Sequence, residues 1–265
     1  MSAPVHYFAR TECGPTRNNN EDSWTVDEAL GLYVVADGMG GLHAGEVASR
    51  LVVENLPRFL DARLAGVTDA EEHAFINALE EALRDTNQAL CEHRRNEPIQ
   101  GDMGSTAVCA WLRNGKLFVA HVGDSRAYRY TDHTLLRLTT DHTMAQILLD
   151  NNLLTEEESR TDDRRNQLTQ FMGLAMDRFN PTCREQVFTA GDILLLCSDG
   201  LTTMVPEAEI AAIMEAWPDM ESPGNALVQA AIDAGGYDNI TVLLLTLPGT
   251  AHADKEAQEE GLAYD

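Results

Sequence analysis

The chain has few basic residues and no long apolar run. Only 19 of its 265 residues are Lys or Arg, against 43 Asp or Glu, which gives a formal net charge of −24. Such a surface repels nucleic acid and anionic membranes, so both are poor candidate partners. No apolar stretch approaches the ~18 residues of a membrane span, and no signal-peptide core follows Met1. These absences favour a cytoplasmic protein.

Cysteine is scarce and unpatterned. The five cysteines are an odd number and include no CxxC pair, which argues against a disulfide framework and against a zinc site. Cys109 and Cys197 lie inside apolar runs, where a free thiol packs as a small hydrophobic group. The cysteine pattern therefore suits a reducing compartment.

Apolar runs separated by turns predict a single domain rich in antiparallel strands. Residues 107–112 and 117–122 flank Asn114-Gly115, a dipeptide typical of a two-residue hairpin. Strands outnumber helices and hairpins outnumber helical crossovers, which favours an α+β fold of antiparallel layers over a doubly wound parallel sheet. The other predicted strands are 23–26, 31–36, 127–130, 135–138, 184–188, 193–197 and 240–247, and the predicted helices are 45–60, one starting at Thr68, 206–217 and 225–234.

Two segments differ in composition from this core. From 143 to about 165 a short helical patch gives way to acidic sequence, in which Thr155 and Glu158 have capping-box spacing. We expect a mobile excursion there. The chain beyond Pro248 is polar and acidic, so we predict a domain over residues 1–248 and a disordered tail over 249–265.

Four aspartates lie at the ends of apolar strands, beside turns: Asp37, Asp124, Asp199 and Asp238. Carboxylates gathered at one end of a sheet repel each other unless a cation joins them. Oxygen donors without His or Cys favour a hard ion, Mg²⁺ or Mn²⁺, over zinc. Asp-Gly is also a common turn dipeptide, and any one aspartate alone is better explained as a turn residue. Their joint placement favours a metal site.

A polar run near the N-terminus contains one basic residue, Arg17, followed by two adjacent acidic residues, Glu21 and Asp22. Arg is the side chain best shaped to grip a phosphate through paired hydrogen bonds. Taken alone, the run also fits a polar loop with a local Arg–Glu pair.

A series of motifs resembles that of the PPM (type 2C) metal-dependent protein phosphatases, most closely the compact bacterial members. The resemblance covers about residues 10–247 and keeps the family's motif order. The motifs are Arg17-x-x-x-Glu21-Asp22, Val35-Ala36-Asp37-Gly38-Met39-Gly40-Gly41, Gly104-Ser105-Thr106-Ala107, Val122-Gly123-Asp124-Ser125-Arg126, Thr140-Asp141-His142, Ser198-Asp199-Gly200-Leu201 and Tyr237-Asp238-Asn239-Ile240-Thr241.

The resemblance implies a four-layer α-β-β-α sandwich, with two antiparallel sheets flanked by helices and a two-metal centre at one end. Carried over by position, Asp37 bridges two Mn²⁺ or Mg²⁺ ions, and the Gly38 carbonyl completes the shell of one. Asp199 and Asp238 hold the other ion.

The resemblance also assigns supporting roles. Glu21 and Asp22 act on metal-bound waters or as occasional direct ligands, and Arg17 binds the substrate phosphate. Asp124, with Asp199, forms a weaker third metal site. Residues 143–165 correspond to the flap, a variable segment near the substrate entrance in bacterial relatives.

The implied activity is hydrolysis of phosphoserine and phosphothreonine in proteins by a metal-activated bridging water. No protein nucleophile is needed, so no cysteine has to be catalytic. By analogy with the family, the partners are phosphorylated proteins and an opposing bacterial serine/threonine kinase, in a secretion or cell-envelope system, and the enzyme is a monomer.

The chain departs from the family pattern in places. Met39 stands where eukaryotic relatives have a His proposed as the acid for the leaving group, and Leu42 stands where bacterial members often have His. Gln170 replaces an Arg found in many relatives, which we expect to alter substrate contacts but not the metal centre.

Two other functions remain open at this stage. One is a catalytically inactive relative that binds phosphoproteins or senses metal; the presence of Arg17 and all four aspartates argues against it. The other is a metal-dependent hydrolase of small phosphomonoesters, because the predicted centre binds the phosphate group and not the peptide that carries it.

Overall fold

The computed structural model describes residues 5–40, 44–65, 67, 73–97, 103–216 and 220–247. Several predictions fall outside these residues: the helix start at Thr68, the end of a helix at Trp217 and the disordered tail at 249–265. Leu42 also lies outside them. Among the described helices, none has both the length and the apolar character that a bilayer span requires.

The described strands form two antiparallel sheets. The strands are β1 (His6–Glu12), β2 (Asp22–Asp27), β3 (Leu32–Gly40), β4 (Met103–Ser105), β5 (Ala107–Arg113), β6 (Lys116–Val122), β7 (Arg126–Thr131), β8 (Thr134–Arg137), β9 (Thr182–Gln186), β10 (Ile193–Cys197) and β11 (Ile240–Thr246). One sheet has the order β2-β3-β5-β6-β9, with β4 paired to β3, and the other has the order β1-β11-β10-β7-β8. The antiparallel layers expected from the sequence are confirmed.

Helices cover the outer face of each sheet. The helices are α1 (Ala44–Leu64), α2 (Ala74–Asn96), α3 (Met144–Asp150), α4 (Glu156–Thr161), α5 (Asp199–Thr202), α6 (Glu207–Glu215) and α7 (Glu221–Asp233). Helices α1 and α2 pack on the six-stranded sheet, whereas α5, α6 and α7 pack on the five-stranded sheet. The order of layers is therefore α-β-β-α.

In the described part of the chain, three apolar cores separate the four layers. Leu83 and Trp111 belong to the core between α1, α2 and the six-stranded sheet. Val35 and Leu243 belong to the core between the two sheets. Leu227 belongs to the core between the five-stranded sheet and its helices. Both faces of the central strands are thus buried, which removes the polar-apolar alternation of a half-exposed strand.

The predicted hairpins are present with the expected backbone. Asn114 and Gly115 have φ values of 51° and 75°, the two left-handed residues of a type I′ turn between β5 and β6. Asp132 and His133, with φ of 45° and 61°, turn the chain between β7 and β8.

Some elements differ from the sequence prediction. Strand β1 was not predicted, and it pairs along its whole length with β11, from the opposite end of the chain. Strand β9 is Thr182–Gln186 rather than 184–188. Helix α7 begins at Glu221 rather than 225, because Pro223 is compatible with a first helical turn.

The segment 143–165, the predicted flap, contains α3, α4 and a 3₁₀ turn. Its capping box is confirmed: Glu158 N donates to Thr155 Oγ1 at 3.2 Å, and Thr155 N donates to Glu158 Oε2 at 2.8 Å.

Candidate metal centre

The pairing of β2 with β3 places two predicted site residues opposite each other. Asp22 and Asp37 are register partners at the end of this ladder. Asp22 is buried, and β3 continues past Asp37 to Gly40, where it pairs with β4. Two carboxylates that stand far apart in the sequence pattern thus share one end of the six-stranded sheet.

Gly38 lies where the backbone approaches α1 too closely for any side chain. A Cβ at this position would lie 2.0 Å from Gly45 O and 2.6 Å from Glu21 O. A Cβ on Gly45 would lie 2.7 Å from Glu21 Oε1 and 2.8 Å from Gly38 O. The Gly38 carbonyl and the Glu21 carboxylate therefore meet at the start of α1.

Asp22 carries a buried oxygen that the described protein atoms leave unpaired. Ser198 Oγ and Thr241 Oγ1 donate to Asp22 Oδ2 at 2.7 and 2.6 Å, whereas Oδ1 has no hydrogen-bond partner in the described part of the chain. Burial raises the pKa of Asp22 to about 7, against the lowering effect of these two hydroxyls. A buried carboxylate with an unpaired oxygen is stabilised by a proton or by a cation.

Asp37 and Asp199 are also costly to ionise. Burial raises the pKa of Asp37 well above its usual value, and Asp22, Asp199, Asp124 and Asp238 raise it further. Burial, followed by the charge of Asp238, raises the pKa of Asp199 to about 6, although a hydrogen bond with Asp37 opposes the shift. The predicted ligands therefore lie close enough to repel one another.

The donor set fits a hard divalent cation in its chemistry: it consists of carboxylate oxygens, and one of them, on the buried Asp22, is unpaired among the described residues. Within the described ranges, no three carboxylate, imidazole or thiolate groups already surround one point at ligand spacing. Asp199 shares a hydrogen bond with Asp37, and Asp238 is bonded to Arg17. A cation held by Asp238 would therefore compete with the Arg17 guanidinium.

Arg17 lies beside the predicted ligand Asp238. Its Nη2 is 2.7 Å from Asp238 Oδ2, and its Nε donates to Tyr237 O at 3.2 Å. Both side chains of this ion pair are partly exposed. The predicted phosphate-binding group is thus at the centre, but it is engaged by a carboxylate.

Asp124 belongs to the same electrostatic cluster. Burial raises the pKa of Asp124 well above its usual value, and the charge of Asp199 is the next cause. Thr106 connects this loop to the centre, because its Oγ1 accepts from Asp37 N at 3.0 Å and contacts Ser125 Oγ at 2.6 Å. The structure brings Asp124 near the expected partner of a third metal site.

Sequence reasoning gave no role to three residues that hold the centre together. Ser198 and Thr241 orient Asp22, and Asn239 Oδ1 accepts from Glu21 N at 2.8 Å. Asn239 Nδ2 also donates to the carbonyls of Cys13 and Asn19. Ser198 and Asn239 each stand next to a motif aspartate, and Thr241 follows Asp238 by three residues; these positions were the available signal.

Gln170 closes a loop. Its Nε2 donates to Arg178 O at 3.1 Å, and its Oε1 accepts from Asn180 N at 2.8 Å. Both ends of the amide are therefore occupied by the backbone of the segment that leads into β9.

The comparison with known proteins decides the family. The sequence profile described as "Protein phosphatase 2C" matches residues 15–233. The chain belongs to this family. It is 34% identical over 248 residues to the serine/threonine phosphatase stp of Listeria monocytogenes serotype 4b (strain F2365), an alignment that covers 91% of this chain and 95% of that protein.

Solved structures of family members have the same fold. The serine/threonine phosphatase PstP/Ppp of Mycobacterium tuberculosis matches with a TM-score of 0.81 and 33% identity over 92% of this chain and 99% of that one. PstP has also been solved as a catalytic domain with two manganese ions, at a TM-score of 0.79 and 32% identity over 92% and 99% of the two chains. PppA, a regulatory component of T6SS in Pseudomonas aeruginosa, matches at 0.77 and 29% identity over 92% and 98%. The predicted type 2C resemblance and four-layer fold are confirmed.

Proposed function

We propose that this chain is a metal-dependent protein serine/threonine phosphatase that uses Mn²⁺ or Mg²⁺. The observation that carries the proposal is the cluster of Asp22, Asp37 and Asp199, one buried and two half-buried carboxylates from three separate segments, in a member of the type 2C family. A manganese-bound relative of the same fold supports the choice of cofactor.

The ligands are assigned to the residues that the carboxylate cluster supplies. Asp37, the Gly38 carbonyl, Asp199 and Asp238 would hold two metal ions. When bound, such ions would supply an activated water and would offset negative charge on a phosphoryl group. The close approach of Gly38 to Glu21 and Gly45 supports this assignment, because it places the Gly38 carbonyl beside the Glu21 carboxylate.

The remaining polar residues bind water or substrate, or orient the residues that do so. Glu21 and Asp22 hold water by hydrogen bonds, and Ser198 and Thr241 keep Asp22 in place. Arg17 binds the phosphoryl group of the substrate, since a guanidinium matches its oxygens in charge and shape. Asp124, with Asp199, provides a weaker third site.

We propose phosphoserine and phosphothreonine proteins as substrates rather than small phosphomonoesters. The relatives in Listeria and Mycobacterium carry serine/threonine phosphatase names. An opposing bacterial serine/threonine kinase follows from this substrate. We further propose a monomer in the cytoplasm, in a secretion or cell-envelope system, and PppA of Pseudomonas aeruginosa provides a precedent for the secretion role.

A comparison of kcat/KM values on three substrates tests the substrate class. With Mn²⁺ present, kcat/KM is measured on a phosphothreonine peptide, on the same peptide with phosphotyrosine, and on glucose 6-phosphate. We expect the phosphothreonine peptide to be preferred by at least about tenfold, the equivalent of 1.4 kcal/mol in transition-state binding. Faster hydrolysis of the sugar phosphate would transfer the assignment to small phosphomonoesters.

A further inference from the structure

Tyr237, which immediately precedes the proposed metal ligand Asp238, carries an aromatic ring that is largely exposed. The relative exposure of this residue is 65%. Among the large apolar side chains exposed in the described part of the chain, Tyr237 is the one that directly neighbours a proposed metal ligand in sequence. A single exposed aromatic residue is ordinary on a protein surface. The place of this one beside the carboxylate cluster makes it a candidate contact for the substrate.

The backbone around this ring is held by the N-terminal loop. Arg17 Nε donates to Tyr237 O at 3.2 Å, and Thr16 Oγ1 donates to Gly236 O at 3.1 Å. A Cβ on Gly236 would lie 2.5 Å from Pro15 Cδ, so the two loops are in close contact. Because the ring and the carbonyl belong to one residue, the Tyr237 ring lies within one side-chain length of the proposed phosphate-binding group.

Gly235 leaves room for the ring. A Cβ on Gly235 would lie 2.9 Å from Cε2 and 3.0 Å from Cζ of Tyr237, and Gly235 has φ of 128°. Glycine is therefore the residue that this position favours, both for its backbone and for the space that it leaves. The ring packs against the glycine backbone without an enclosing pocket, and the rest of its surface is open to a ligand.

A substrate peptide bound at Arg17 through its phosphate would reach this ring. An extended peptide advances about 3.3–3.6 Å per residue, so a residue flanking the phosphorylated one comes within reach. The face of an aromatic ring attracts a cation, and more often a guanidinium than an ammonium. The formal net charge of −24 also favours the approach of a basic peptide over an acidic one. A basic side chain of the substrate is thus the group that fits the exposed face best.

We propose that Tyr237 is a specificity-determining residue that binds a basic side chain flanking the phosphorylated serine or threonine of the substrate. The basic side chain stacks on the exposed ring while Arg17 holds the phosphoryl group. A small phosphomonoester has no such side chain, so this contact favours phosphoproteins. The inference rests on the proposed function, because it takes the substrate phosphate to bind at Arg17.

Substitutions at Tyr237 separate a contact with the ring face from a general apolar contact. Tyr237→Ala removes the ring, Tyr237→Leu keeps apolar surface without a ring face, and Tyr237→Phe keeps the ring face without the hydroxyl. Val187→Ala is the matched control, because this side chain is 68% exposed. Val187 is also remote from the cluster: β9 ends at Gln186, opposite Leu117, whereas Asp124 follows the other end of β6.

The substrates are three phosphothreonine peptides that differ only in the residues on either side of the phosphothreonine, which are Arg, Leu or Glu. A single phosphothreonine, acetylated and amidated, is the minimal substrate without flanking side chains. With Mn²⁺ present, we expect the unsubstituted chain to prefer the Arg peptide over the Leu peptide by about two- to fivefold in kcat/KM, the range of an exposed cation–π contact. The difference should lie in KM, and the Glu peptide should be the poorest of the three.

The variants should differ in this preference. Tyr237→Ala and Tyr237→Leu should abolish the preference for the Arg peptide over the Leu peptide, whereas Tyr237→Phe and Val187→Ala should keep it. Comparing the ratio between variants forms a double-mutant cycle, so the general attraction of a basic peptide to an acidic chain cancels.

Four outcomes would overturn the proposal. They are an unchanged Arg preference in Tyr237→Ala, an unchanged preference in Tyr237→Leu, an equal loss of preference in Val187→Ala, and a preference of the unsubstituted chain for the Leu or Glu peptide. The first and third would remove the contact itself, and the second and fourth would remove its specificity for a cation.

Phosphate release from the minimal substrate separates this inference from the proposed function. If no substrate is hydrolysed with any metal, the proposed function fails, and binding of the same peptides, fluorescently labelled, is measured by polarisation. Loss of the Arg preference in Tyr237→Ala would support the contact even then, and its persistence would overturn it.

Discussion

Arg17 and Asp238 form an ion pair between segments 221 residues apart in the chain, with 2.7 Å between Nη2 and Oδ2. One partner is the proposed phosphate-binding group and the other a proposed metal ligand. A cation held by Asp238 would therefore compete with the Arg17 guanidinium for the same carboxylate, and it would leave Arg17 available to the substrate.

Arg17→Ala should separate these two roles. We expect kcat/KM on a phosphothreonine peptide to fall by at least about tenfold, because a charge-assisted contact to phosphate is lost. Mn²⁺ affinity should rise by about two- to fivefold, since a partly exposed ion pair contributes up to about 1 kcal/mol. Titration calorimetry checks the second effect, with Arg17→Lys as the charge-preserving control. Weaker Mn²⁺ binding in Arg17→Ala would show instead that Arg17 holds Asp238 in place for the metal.

The stability of the protein in EDTA should depend on pH through the buried carboxyls. Burial raises the pKa of Asp22 to about 7 and that of Asp199 to about 6. A carboxyl with a raised pKa binds more protons in the folded state, so its contribution is complete below the unfolded pKa and is lost as pH rises. We expect the free energy of unfolding in EDTA to fall between about pH 4 and pH 7.

Denaturant titrations at several pH values check this dependence. Mn²⁺ should make the free energy of unfolding less dependent on pH, because a cation favours the charged carboxylates. Asp22→Asn should have the same effect in EDTA, since the amide does not titrate. A pH dependence in Asp22→Asn equal to that of the unsubstituted chain would contradict the role of Asp22.

Gly38→Ala tests the close approach at the start of α1. The added methyl would lie 2.0 Å from Gly45 O, a backbone atom that cannot move without shifting the helix. We expect a loss of about 1–3 kcal/mol in the free energy of unfolding, together with weaker Mn²⁺ binding. Gly115→Asn is a suitable control, because that turn position is open and Asn tolerates its left-handed backbone. Unchanged stability and Mn²⁺ affinity in Gly38→Ala would show that α1 shifts to accommodate the methyl group at little cost in free energy.

Much of the fold could be predicted because its signals are local. Asn114-Gly115 identifies a hairpin by its backbone preference alone, and the apolar run 193–197 indicates a strand buried on both faces. The pairing of β1 with β11 was missed, because a half-exposed edge strand has weak patterning and its partner lies at the other end of the chain.

The candidate site, like the fold, could be predicted from the sequence only in part. Asp37, Asp199 and Asp238 could be proposed from their place in motifs. The bond from Arg17 to Asp238 and the contacts of His142 with Gly123 join segments distant in sequence, so no local pattern predicts them. The roles of Ser198 and Thr241 depend likewise on which carboxylate lies opposite them after folding.

Phosphate release from a phosphothreonine peptide, measured with EDTA, Mg²⁺ and Mn²⁺, tests the central claim most directly. Asp37→Asn serves as the matched variant, because it keeps the size of the side chain and removes the charge. We predict activity with Mn²⁺, none with EDTA, and none in Asp37→Asn under any condition. Metal-independent turnover, full activity in Asp37→Asn, or inactivity of the folded unsubstituted chain with every metal would contradict a carboxylate-held metal centre that dephosphorylates proteins.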